Sequence, residues 1–211
     1  MTSRSSRPYR KRKRAESEEE TRRRITEAAV ELHGTVGPAN TKMTEVAERA
    51  GVSRATLYNH FPSQVDLFMA CSSHWAARHP FPDPSGWAAI SDPSLRLGEA
   101  MRELYRWYGE NAGMMGAVLR DAAVLPDLAE VMDELWESYL ERAVDALAKG
   151  WATEHDDSRA LVVVLRLVVD FHTWELLTGA GLDDDGAAEL SVRLVVAEEE
   201  VSRMRTSPER A

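Results

Sequence analysis

Apolar residues recur along this chain at intervals of three and four, the period of an α-helix that buries one face. Ile25, Ala28, Ala29 and Leu32 form such a stripe. With acids placed early, as the helix dipole prefers, they predict a first helix over 16–34. Met43, Val46, Ala47 and Ala50 form a second stripe, with Glu45, Glu48 and Arg49 outside it. Leu57 and Phe61 mark a helix over 54–60, and 63–79 reads as a fourth. Pro80, Pro82, Pro84 and Pro93 then predict a loop, since proline cannot occupy a helix interior. Further helices are predicted over 94–111 (Leu97, Met101, Leu104 and Tyr108 inward), 114–124, 127–148, 157–178 and 183–204. The 157–178 segment is apolar on nearly every side, which predicts burial all round, partly against another subunit. The β-branched run 162–164 is the one place where a strand competes, and its helical context outweighs it. The chain reads as all-α, with about nine helices.

The segment from Met43 to Phe61, MTEVAERAGVSRATLYNHF, is more specific than amphipathic periodicity. Gly51 can end the first helix in the left-handed conformation. Val52 is apolar within the turn, and Ser53 is a preferred N-cap for the next helix. Ala47 is small where the two helices must approach. This is the pattern of a helix-turn-helix, which places its second helix in the major groove of DNA. Ser53, Arg54, Ala55, Thr56, Tyr58, Asn59 and His60 are then the contact candidates. Arg54 suits guanine O6/N7, Asn59 suits adenine N6/N7, and the Thr56 methyl suits a thymine methyl. Tyr58 and His60 suit phosphates, which position the protein without reading sequence.

Residues 25–68 resemble the tetracycline-repressor (TetR) regulators. The resemblance rests on the Ile25–Leu32 stripe, the Gly37 break, Met43–Glu45–Val46–Ala47, and the run AGVSRATLYNHF. It implies an N-terminal three-helix DNA-binding domain over 16–62 and a helical ligand-binding and dimerisation domain over 63–211; the basic block before them reads, from its charge, as a disordered arm over 1–15. It also implies phosphate contacts at Tyr58 and His60, and contacts at Thr41 and Thr44. Ala55 stands where the family commonly has glycine, and Gln64 where lysine is common, which puts one backbone contact in doubt. By the same resemblance the last two helices form a homodimer bundle, and the operator is palindromic.

The net charge of −9 looks wrong for a DNA binder, but its distribution does not. Residues 1–78 carry 14 Lys/Arg and 9 Asp/Glu, net +5, and the remainder is net −14. A basic head on an acidic body is expected of a DNA-binding regulator. Within residues 1–14 lie seven basic residues and no acid, a block that self-repels in isolation and can lie along phosphates. No apolar stretch follows these charges, so they do not form a signal peptide. No run of about 18 apolar residues is present to span a membrane. Even 161–169 is short and contains Arg166. The single cysteine, Cys71, excludes a disulfide framework, fits a cytoplasmic setting, and reads as a small buried hydrophobe.

The six tryptophans and several methionines can fill a core or line an adaptable apolar pocket. The family resemblance favours a pocket between the middle helices, with Met101, Trp107, Met132, Trp136, His172 and Trp174 as its candidate residues. The implied effector is a small apolar or aromatic molecule. No catalytic residue, metal site or cofactor is expected. The six histidines lack strong metal-ligand spacing, Asp170 and His172 would lie on different faces of one helix, and no nucleophile motif occurs. The expectation is a sequence-specific transcription regulator, a repressor by family habit, and not an enzyme. The competing reading is a helical metal-binding or catalytic bundle with no DNA role.

Overall fold

The computed structural model describes residues 6–151 and 158–206, and its side chains over 9–151 and 159–204. The run His155, Asp156 and Asp157 reads in the sequence as a polar loop and helix cap, and it lies outside the described residues. The elements are α1 (Ser6–Val36), a 3-10 turn (Pro38–Asn40), α2 (Met43–Ala50), α3 (Arg54–His60), α4 (Gln64–Ala76), α5 (Pro84–Ala88) and α6 (Pro93–Ala122). They continue with α7 (Pro126–Met132), a π-helical segment (Asp133–Glu137), α8 (Ser138–Ala148), α9 (Ser158–Val168), α10 (Phe171–Gly179) and α11 (Asp184–Thr206). No strand occurs among the described residues. Among the described residues two compact units result, one within 1–79 and 116–132 and the other within 80–115 and 133–211.

In the first unit, α1 packs against α2 and α4, and α4 against α7. Its core is Ile25, Ala28, Ala29, Leu32, Val46, Ala47, Ala50, Leu57, Phe61 and Leu67, with Cys71 buried among them. Burial pushes the Cys71 thiol up to about 12, so it is an unreactive hydrophobe. The N-terminal boundary differs from the expectation: α1 begins at Ser6, not near 16. Arg12 and Arg14 pair with Glu16 and Glu18 one turn on, at 3.3 and 3.0 Å, so acids that follow the basic block support helix through it.

The second unit departs further. The predicted 94–111 and 114–124 helices are one helix, α6, since Gly113 is tolerated inside it. The proline loop holds α5, which Asp83 caps through the Ser85 amide at 2.9 Å while Pro84 occupies the first turn. The predicted 127–148 helix is interrupted by the π-helical segment, whose Glu137 pairs with Arg166 of α9. The 157–178 segment is broken after Val168. Its orphan carbonyls are taken by buried hydroxyls: Tyr105 donates to Val168 O at 2.8 Å and Tyr108 to Val169 O at 2.5 Å. Asp170 then caps α10 through the His172 amide at 2.8 Å. Within the single chain, Leu161, Leu165, Val168 and Val169 are buried, whereas Val162, Val163 and Leu167 of α9 and Leu176 of α10 are exposed. On α11 the buried face is Ala187, Ala188, Ser191, Val195, Glu199 and Ser202, whereas Leu194 and Val201 face out.

Candidate nucleic-acid interface

The contact surface starts from the turn between α2 and α3. Gly51 adopts φ 65°, ψ 38°, and its N–H donates to Glu48 O at 3.0 Å while Val52 N–H donates to Ala47 O at 2.9 Å. Ser53 then caps α3, accepting from the Thr56 amide at 3.0 Å. Leu57 and Phe61, both fully buried, fix which side of α3 faces inward. The opposite side is thereby presented: Ser53, Arg54, Ala55, Tyr58 and Asn59 are exposed. The Arg54 guanidinium lies 5.7 Å from the centre of the Tyr58 ring, so the two side chains occupy one patch.

The remaining candidates are less open. Thr56 and His60 are half-buried, and the Thr56 hydroxyl is 2.8 Å from Ser53 Oγ, within the cap. Thr44 is exposed, whereas half-buried Thr41 donates its hydroxyl to Gly37 O at 2.8 Å and so helps to close the turn before α2.

Several residues that build this surface were not found from sequence periodicity. Arg22 of α1 donates to His60 O at 2.7 Å and stacks its guanidinium 4.2 Å from the Phe61 ring centre. Arg24 donates to Ala50 O, and to Gly51 O at 3.2 Å. Two cations of one helix thus close the C-terminal ends of α2 and α3, where carbonyls are unpaired and the dipole is negative. Asp121, 4% exposed, accepts from the Ala39 amide at 2.8 Å and from Arg120 Nε at 2.8 Å. Gly37 leaves room for it: at φ 85°, an added Cβ would meet Asp121 Oδ2 at 2.6 Å. His33 is buried beside Phe68, at 5.6 Å between rings, and burial lowers its pKa to about 4 against the partial opposing pull of Asp121.

In the second unit three of the expected pocket residues come together. Trp107 and Trp136 belong to one aromatic cluster, stacked at 6.4 Å, and Trp174 joins it through Tyr108 at 5.9 Å. Met101 is fully buried. Met132 lies in the first unit, and exposed His172 holds its ring 3.1 Å from the cap residue Asp170 rather than on an opposite helix face. Phe81, Tyr108, Tyr139 and Phe171 complete the cluster: Tyr108 and Tyr139 stand one and three residues from Trp107 and Trp136 along the chain, whereas Phe81 and Phe171 were missed because their proximity is tertiary. Among the described residues, no group of three or more His, Cys, Asp or Glu is arranged to hold a metal ion. No described helix is long and apolar enough to cross a membrane.

Residues 25–71 match the family described as bacterial regulatory proteins, tetR family. The transcriptional repressor KstR of Mycobacterium tuberculosis is 26% identical over 191 residues, covering 88% of this chain and 85% of that protein. The transcriptional activator FasR of Mycolicibacterium smegmatis is 24% identical over 177 residues, 83% of this chain and 81% of that one. Among solved structures, NalD of Pseudomonas aeruginosa, the secondary repressor of the MexAB-OprM multidrug efflux pump, superposes with a TM-score of 0.59 at 21% identity. That likeness covers 87% of this chain and 97% of NalD, and it shows a shared fold.

Proposed function

We propose that this chain, which belongs to the tetR family of bacterial regulatory proteins, represses transcription as a homodimer on a palindromic operator and is released by a small apolar or aromatic effector. It is a DNA-binding transcription regulator and not an enzyme. The observation that carries the reading is the exposed row Arg54, Ala55, Tyr58 and Asn59, held by a capped helix over buried Leu57 and Phe61. Arg54 and Asn59 read base edges, Ser53, Ala55 and Thr56 lie at the groove, and Thr41, Thr44, Tyr58 and His60 position the backbone. In this scheme residues 16–62 read DNA and residues 63–211 dimerise and sense the effector in the cytoplasm. The basic residues 1–15 lie along phosphates.

A second copy is supported by exposed Val163 and Leu167 of α9, Leu176 of α10, and Leu194 and Met204 of α11, apolar side chains on the segments expected to pair. A two-fold dimer sets two recognition helices on half-sites about 34 Å apart, or a multiple of that distance. Repression, as against activation, is supported by the names of KstR and NalD. The FasR name points the other way, so the sign of control needs its own readout. The test is selection of DNA from a randomised library with the full chain, followed by a reporter behind the selected site. A palindrome and higher reporter output on deletion of the regulator are expected. Absence of any enriched sequence would contradict the reading.

A further inference from the structure

The aromatic cluster of the second unit contains a ring that does not come from its helices. Phe81 stands between Pro80 and Pro82, on a segment with neither helix nor strand. Its ring lies 4.7 Å from Trp107, 5.4 Å from Trp136 and 5.0 Å from Tyr139. The three receiving rings are buried and sit on helical segments, whereas Phe81 is only half-buried. Proline has no amide hydrogen, so both residues flanking Phe81 lack the donor that would tie this stretch to a neighbour.

Two further observations separate this place from ordinary core packing. The Tyr139 hydroxyl, on a residue 2% exposed, has no hydrogen-bond partner among the described residues. A buried hydroxyl without a partner is costly, and it is rare in a site whose only task is to pack. Burial, with the Glu103 and Asp83 carboxylates adding to it, keeps this phenol protonated and so available as a donor. Trp136 lies on the π-helical segment, a conformation that is uncommon and recurs at functional sites. That segment follows directly on α7, which packs against α4 of the DNA-binding unit.

We infer that Phe81 occupies the effector's place: the cage of Trp107, Trp136 and Tyr139 takes a flat aromatic ring bearing one oxygen acceptor for the Tyr139 hydroxyl, and that ring displaces Phe81. This rests on the regulatory reading above and adds to it the site, the ligand class and the competing side chain. Displacement exchanges one ring for another within the cage, so the apolar contacts are conserved. The gain is the hydrogen bond that Phe81 cannot accept. Stacked and tilted ring pairs tolerate such an exchange, because every flat π-system offers the same faces. Control follows if the released loop and the repositioned Trp136 favour a DNA-incompetent shape, since a ligand shifts an equilibrium only through different affinities for its two states.

The test uses toluene and 4-methylphenol, each the size of the displaced side chain, with the full-length protein and isothermal titration calorimetry. Phe81→Ala should bind toluene at least tenfold more tightly than the wild type. In Phe81→Ala, 4-methylphenol should bind several-fold more tightly than toluene, and Tyr139→Phe in that background should erase the preference. Saturating 4-methylphenol should lower the affinity of Phe81→Ala for the selected operator at least fivefold. Equal toluene affinity in Phe81→Ala and wild type, no loss of preference with Tyr139→Phe, or tight binding with unchanged operator affinity would each overturn the inference. If Phe81→Ala loses its helical circular dichroism, Phe81→Leu replaces it, with about a threefold gain expected and no gain overturning the inference. A wild type that binds no DNA without a probe contradicts the regulatory reading instead, and the calorimetry still decides whether the cage takes a ring.

Discussion

The helix-turn-helix and the aromatic cluster of the second unit place their large side chains in opposite ways. In the helix-turn-helix, Leu57 and Phe61 are buried so that Arg54, Tyr58 and Asn59 can be left open. The polar groups at its turn are matched locally, by the Ser53 cap, the Gly51 turn, and Arg22 and Arg24 on the helix ends. In the second unit the large rings themselves face inward, and one hydroxyl among them, that of Tyr139, is left unmatched. A surface that must meet a rigid, highly charged duplex benefits from being held in one shape. A site that must report a ligand needs an interaction that the unliganded protein lacks. The unmatched group lies in the second unit, in the cage proposed above for the effector.

The widest break in this contrast comes from Phe61→Ala, which removes a fully buried ring shared by α3 and the Arg22 stack. A loss of about 4 kcal/mol is expected in the first unit. Urea titration should show the first unit unfolding earlier, while tryptophan emission from the second unit keeps its wild-type midpoint. A smaller effect comes from His33. Its folded pKa of about 4 lies below the ordinary 6.5, so the fold favours the neutral ring. The associated stability is therefore complete above about pH 6.5 and is lost as pH falls toward 4, by up to about 3 kcal/mol. Subtracting the same pH series for His33→Asn should isolate this slope, and parallel curves would remove His33 as its source. Ser53→Ala should cost about 1 kcal/mol by leaving the Thr56 amide without its cap. It should raise hydrogen exchange in α3 and leave α8 and α9 unchanged.

The parts of the fold that were legible in the sequence are those settled within a turn or two of helix. Gly51, Ser53, Leu57 and Phe61 act on neighbours three to five residues away, so spacing alone located the α2–α3 turn and the outward face of α3. The residues that hold it were not legible. Arg22 and Arg24 reach carbonyls 38 and 26 residues on, and Asp121 meets an amide 82 residues away. The break after Val168 was hidden for the same reason: an unbroken apolar run hides a break that Tyr105 and Tyr108 satisfy from another helix. Likewise, composition drew attention to Trp107 and Trp136, but only the fold brings Phe81 to them.

Base reading by this protein rests on the outward face of α3, and one comparison of binding specificity tests it. The selected operator and a full set of its single-base variants are titrated with wild type, Arg54→Ala and Tyr58→Phe. Arg54→Ala should cost about 1–3 kcal/mol on the operator and relax preference at particular base pairs, whereas Tyr58→Phe should weaken binding to all variants alike. Uniform, sequence-independent losses from both substitutions would contradict base reading by this helix.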